Sequence, residues 1–118
     1  MTEMTNREML EYAAKAAGYE VESDHQGVFY IREGTGLQSW TPWNPLTDDG
    51  DALRLAVRLN VWPVRVFSPK NHPDTIRVQA GSEYWTEITE EEIFDDPFAA
   101  TRRAIVRAAA EIGKEKND

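Results

Sequence analysis

At 118 residues the chain has the length of one domain, able to bury roughly two thirds of its unfolded surface without outside staples. It contains no cysteine, which excludes disulfides, thiolate nucleophiles and Cys-ligated zinc or iron, and leaves His25 and His72 as its imidazoles. The 21 acidic against 13 basic side chains set a net charge of −8. That charge repels phosphate backbones, so no direct nucleic-acid partner is expected and a basic protein partner fits better, although the same charge also serves plain solubility.

Residues 1–8 lack the apolar run of a secretory signal. No stretch approaches the roughly 18 apolar residues of a membrane span, so a cytoplasmic protein with no membrane partner is expected.

Thr5 followed by Glu8 has the spacing of a capping box, and Leu10, Ala13, Ala14 and Ala17 recur on one helical face before Gly18. A first helix over 6–17 is predicted. A polar stretch through Asp24, His25, Gln26 and Gly27 leads to Val28–Arg32, whose β-branched and aromatic residues read as a strand. Glu33–Gly36 turns the chain, Leu37–Thr41 alternates, and the pair reads as an antiparallel hairpin ended by Pro42 and Pro45.

Thr47, Asp48, Asp49 and Asp51 supply short acceptors and negative charge at a helix start, and Ala52, Leu55, Ala56 and Leu59 follow at helical spacing. The second helix is predicted over 49–59, with Asn60 as its stop. Three alternating strands come next, over 62–67, 75–80 and 83–89, the last two joined through Gly81-Ser82 as a tight turn. Asp96-Pro97 opens the third helix, Ile105, Ala108, Ala109 and Ile112 form its buried stripe, Gly113 stops it, and 114–118 is expected to fray. The order αββαβββα, with short turns between strands, predicts an α+β domain: a largely antiparallel sheet of about five strands between helical layers, an α/β/α sandwich.

The segment from Trp43 to Ala56 resembles the central signature of the phage ABA-sandwich domain proteins of bacteriophages and prophages. Met9–Gly18 and Ala100–Ala108 look like that family's first and last helices. The resemblance implies a sheet between helical layers and a phage setting, and it carries over no catalytic residue and no cofactor.

Several constellations have both a functional and a structural reading. Trp40, Trp43 and Asn44 precede the second helix, where aromatic faces and free amides could hold a nucleotide or another anionic ligand, or where the tryptophans could plug the sheet–helix junction. Arg102, Arg103 and Arg107 form a basic cluster that could receive an acidic partner, or could pair with local carboxylates such as Glu90, Glu91 and Glu92. Asp48, Asp49 and Asp51 could attract a divalent cation, yet counting from Asp48 puts Leu53 and Leu59 where a calcium loop needs Gly and Glu, and capping explains them without a metal. His25, His72, Ser39, Ser68 and Ser82 stand in no triad or elbow pattern, so no catalytic residue, metal or cofactor is expected. Small size, negative charge and the lack of catalytic motifs, with the phage setting that the resemblance implies, predict a non-enzymatic phage or prophage accessory protein that binds a host protein, with modulation of host defence as its setting. A small-ligand binder near Trp40 and Trp43 is the first alternative, and a phage structural or assembly protein is the second. Oligomeric state is not readable from a chain without heptads.

Overall fold

In the computed structural model the helix starts are decided by a few short side chains. The structure describes residues 4–33, 39–70, 74–80, 87–92 and 96–116, with the backbone alone at 79–80 and 87–92. In α1 (Asn6–Ala17) the Glu8 amide donates to the Thr5 hydroxyl at 3.1 Å and the Thr5 amide donates to the Glu8 carboxylate at 3.0 Å, closing the predicted capping box. Gly18 ends the helix at φ 80°, a left-handed conformation that a side chain would strain.

The Thr5 amide, and after it the Thr5 hydroxyl, holds the Glu8 carboxyl below its ordinary value of 4.5. Because the folded value lies below the unfolded one, its contribution is complete above the unfolded value and is lost as pH falls through the folded one. An NMR titration of the Glu8 carboxyl should therefore show a midpoint under 4.5, and a midpoint at or above 4.5 would mean that the box does not form in solution.

β1 (Tyr19–Ser23) was not expected. Tyr19, Val21 and Ser23 are half-buried and alternate with exposed Glu20 and Glu22, a period of two that the acidic residues disguise as a polar link. It pairs antiparallel with β2 (Phe29–Glu33) around a turn at 24–28, where the Asp24 carboxylate accepts from the Gln26 and Val28 amides at 2.9 and 3.0 Å. β2 in turn pairs antiparallel with β3 (Thr41–Pro42), as the predicted hairpin requires, with Tyr30 opposite Pro42. Pro42 thus lies inside the strand that it was expected to end. β3 is the edge of its sheet, where a missing donor is tolerated. Of the predicted strand over 37–41, residues 37 and 38 lie outside the described residues, and Ser39 and Trp40 are not paired as a strand.

α2 (Asp49–Leu59) has its predicted bounds. The Asp48 carboxylate accepts from the Asp51 amide at 2.8 Å, and Asn60 closes the helix at φ 55°. β4 (Trp62–Val66), β5 (Thr75–Ala80) and β6 (Glu87–Glu92) form a second antiparallel sheet in that order. Ile76 and Val78 are buried while Arg77 is exposed, the expected alternation. Ala80 pairs with Glu87, a register that a two-residue turn at Gly81-Ser82 would not give, and β6 covers 87–92 where a strand over 83–89 was expected; residues 81–86 lie outside the described ones. The described strands therefore make two three-stranded sheets, in the order αβββαβββα, and not one sheet of about five.

α3 (Pro97–Lys116) begins where the Asp96 carboxylate accepts from the Phe98 and Ala99 amides at 3.0 and 3.1 Å. It does not stop at Gly113, and residues 114–116 are helical, not frayed, with the Lys116 ammonium donating to the Ala16 carbonyl at 3.2 Å. Gly113 serves another end. A Cβ there would stand 2.7 Å from the Tyr12 carbonyl carbon and closer still to its oxygen, so glycine is what lets the two helix backbones touch. Arg103 reaches Asn6 near one end of this contact and Lys116 reaches Ala16 near the other, so α1 and α3 run side by side in the same direction.

The buried face of α3 is wider than the predicted stripe. Ala104, Ile105, Val106, Ala108, Ala109, Ala110 and Gly113 are all buried, because α3 packs against α1, α2 and the β4–β5–β6 sheet. A helix, where a sheet was expected, is thus the element most others pack on. The described buried apolar residues form one cluster that joins α1, Phe29, Trp43, α2, Val61, Ile76, Val78 and α3.

Candidate functional site

The loop before α2 was the first candidate, and its groups are turned inward. Trp43 is 4% exposed, its ring meets Tyr19 edge-on at 6.0 Å, and its amide donates to the Phe29 carbonyl at 3.0 Å, so it plugs the junction between the first sheet and α2. Asn44 organises the turn. Its amide donates to Asp51 at 3.0 Å, its side-chain oxygen accepts from the Leu46 amide at 3.0 Å, and its carbonyl accepts from the Thr47 and Asp48 amides. Trp40 is half-buried under the Arg32 guanidinium, which lies 4.4 Å from the ring centre.

A cleft of about 320 Å³ lies beside this loop, lined among others by Tyr19, Arg32, Glu33, Trp43, Asp51 and Arg54. Burial raises the Tyr19 phenol above its ordinary value even though Arg58, 4.9 Å from its ring centre, pulls the other way. The charges of this region are matched with one another: Arg32 with Glu20 at 2.7 Å, Arg54 with Asp51 at 2.7 Å, and Arg58 with Glu33 at 2.8 Å. An anionic ligand entering here would share each arginine with the carboxylate that it already meets.

The acidic cluster is likewise committed. Asp48 caps Asp51, Asp51 accepts from Asn44 and Arg54, and Asp49 accepts from Arg102 at 2.6 Å. Among the described residues no three acidic or histidine groups are placed together to hold a metal ion. His25 is exposed on the turn at 24–28, and His72 lies outside the described residues.

The arginines of α3 do not form a free basic patch. Arg102 is half-buried and joins α3 to the start of α2, donating to the Leu46 carbonyl at 2.9 Å as well as to Asp49. Arg103 donates to the Asn6 side chain at 3.1 Å, and Arg107 is also half-buried and partnered. The expected pairing with Glu90, Glu91 and Glu92 concerns side chains outside the described ones.

Sequence reasoning passed over a different surface. Leu53, Trp62 and Phe98 are 58%, 52% and 68% exposed, and they line one groove of about 350 Å³ together with Ala52, Ala56, Pro63 and Ile105. Val57 extends it along the Leu53 face of α2 at the four-residue interval, and Val64 shares the Trp62 face of β4; both are exposed. The signal was present in part. Leu53 and Val57 are an apolar pair lying off the stripe of Ala52, Leu55, Ala56 and Leu59, and Phe98 stands in the first turn of α3. Nothing local could join them to Trp62, which is brought to them by the turn at Asn60 and by the Arg102 tie between α2 and α3.

Comparison with known proteins finds no matching family model, no similar curated protein and no similar solved structure. Among the described residues no helix is long and apolar enough to cross a membrane.

Proposed function

We propose that this chain is a phage or prophage accessory protein that acts by binding a host protein, and that it binds through the apolar groove between α2, β4 and the first turn of α3. The observation that carries this reading is the exposure of Leu53, Trp62 and Phe98 around one cleft. Exposed apolar side chains scattered singly need no explanation, whereas a contiguous set rimmed by polar residues marks an interaction surface. The phage setting rests on the resemblance of Trp43–Ala56 to the phage ABA-sandwich proteins. The mutual pairing of arginines and carboxylates beside Trp40 leaves the small-ligand reading with a cleft whose charged groups already have partners.

Leu53→Asp and Phe98→Asp test the reading, because both side chains are exposed and their replacement should change stability by only about 0.5 kcal/mol. Affinity capture from a bacterial lysate at near-physiological salt should recover a specific protein with the native chain and lose it with either variant. Recovery of the same proteins by all three would exclude this face as the binding surface.

A further inference from the structure

The first sheet ends on a strand whose outer backbone is open. The Trp43 amide donates to the Phe29 carbonyl at 3.0 Å, so Phe29 turns its backbone toward β3. Opposed residues of an antiparallel pair either both face across it or both face away, so Ser23, which stands opposite Phe29, faces away from β2. Val21 and Tyr19 share that side at the two-residue interval. The Asp24 amide, one residue on, donates inward to the Val28 carbonyl at 3.0 Å, as the same alternation requires. Among the described residues β1 is a free edge of its sheet, so the N–H and C=O groups of Tyr19, Val21 and Ser23 form a row that no strand meets. A cleft of about 710 Å³ lies beside this row, with Tyr19 and Val21 on one side and Glu8, Tyr12 and Lys15 of α1 on the other.

The two faces of β1 differ in charge. Tyr19, Val21 and Ser23 are half-buried on the side of α1, whereas Glu20 and Glu22 are exposed on the other. Arg32 meets Glu20 at 2.7 Å, and Glu22 has no ion pair among the described residues. A second copy paired edge to edge through a two-fold axis would set Glu20 or Glu22 against an acidic residue of that copy, and like charges directly opposite are destabilising. We infer that this edge takes an extended segment of a partner protein as a fourth strand, its apolar side chains toward Tyr12 and Val21 and its Lys or Arg side chains across from Glu20 and Glu22. An extended backbone is selected because a strand repeats its donors and acceptors at the same interval as the row, about 6.8 Å. The glutamates select the sign of the alternate side chains. β4 belongs to the other sheet, so this edge is a surface apart from the apolar groove proposed above.

The probe is a fluorescein-labelled peptide of alternating Val and Lys, about seven residues long and so roughly 24 Å as a strand. It is compared by fluorescence anisotropy with the same residues in scrambled order and with a Val and Glu counterpart. The alternating Val and Lys peptide should bind about tenfold or more tightly than either control. Two further versions carry N-methyl groups, one on two Val amides and the other on two Lys amides. An added strand turns one alternate set of amides to β1 and the other to solvent, so one version should bind about tenfold more weakly and the other like the parent peptide. Glu22→Lys, at an exposed position, should weaken the Val and Lys peptide by about threefold and strengthen the Val and Glu one. Leu53→Asp should leave both unchanged.

Equal binding of the scrambled peptide, or equal affinity of the two N-methylated versions, would reveal general attraction to the −8 charge and overturn the inference. Tighter binding of the Val and Glu peptide by the native chain would overturn the basic pattern of the partner. Loss of the Val and Lys peptide in Leu53→Asp would move it to the apolar groove and away from β1. A native chain that sediments as a dimer, and that the peptide dissociates, would give the edge to a second copy. Failure of every peptide to bind the native chain would also remove the inference, and the lysate capture with Leu53→Asp and Phe98→Asp judges the groove separately.

Discussion

Replacing Gly113 by alanine should destabilise the protein by about 3 kcal/mol, the upper part of the range for forcing extra atoms into a packed contact. The sign is opposite to what helix propensity alone gives, since alanine in place of a helical glycine is worth up to about 1 kcal/mol in favour of the helix. The packing term wins because the new Cβ would meet backbone, not the movable tip of a side chain: the Tyr12 carbonyl carbon would be 2.7 Å away and its oxygen nearer. Neither helix can yield alone, because the contact is bordered by buried Ala13, Ala16, Ala109 and Ala110 and tied near its ends through Asn6 to Arg103 and Ala16 to Lys116. Urea denaturation of the variant checks this. A stability equal to or above that of the native chain would mean that α1 and α3 do not approach in this way in solution.

Leu55→Ala should cost roughly 2 to 5 kcal/mol, the range for removing a buried leucine and leaving part of its volume empty. Leu55 is 0% exposed and lies in the cluster that α2 shares with α1 and α3. Its neighbour in sequence at two residues' distance, Leu53, is 58% exposed, so the two leucines of one helix separate stability from binding. The variant at 55 should lower the denaturation midpoint strongly; the variant at 53 should leave it nearly unchanged while affecting partner capture. A loss under about 0.5 kcal/mol for Leu55→Ala would place that stripe at the surface and reverse the assignment of the two faces of α2.

The three helix starts and the ends of α1 and α2 were legible because they depend on hydrogen bonds made within a few residues. Thr5 with Glu8, Asp48 with Asp51, and Asp96 with Phe98 and Ala99 each satisfy free amides of the first turn, and Gly18 and Asn60 take left-handed conformations just past the last turn. β5 was legible for a similar reason, since alternation over Thr75–Ala80 is a local pattern. β1 was not, because Glu20 and Glu22 look like a solvated link until β2 is there to pair with Tyr19–Ser23 and Arg32 is there to meet Glu20.

Other residues have meanings that exist only across the fold. Gly113 reads as a stop until the Tyr12 backbone is known to lie against it. Trp43 allows both a ligand platform and a junction plug until Tyr19 is seen to meet it, and Arg102 allows both a basic patch and a local ion pair until Leu46 and Asp49 accept its donors. The sequence by itself determined the three helix starts, the buried stripe of α2, the antiparallel sense of the strand pairing and the acidic charge. The tertiary structure alone decided that the strands split into two sheets, that α3 takes the centre, and that Leu53, Trp62 and Phe98 share a groove. The division follows from range: capping and periodicity act over a turn or two, whereas close approach, burial and a groove are relations between residues far apart in the chain, fixed only when the whole core packs.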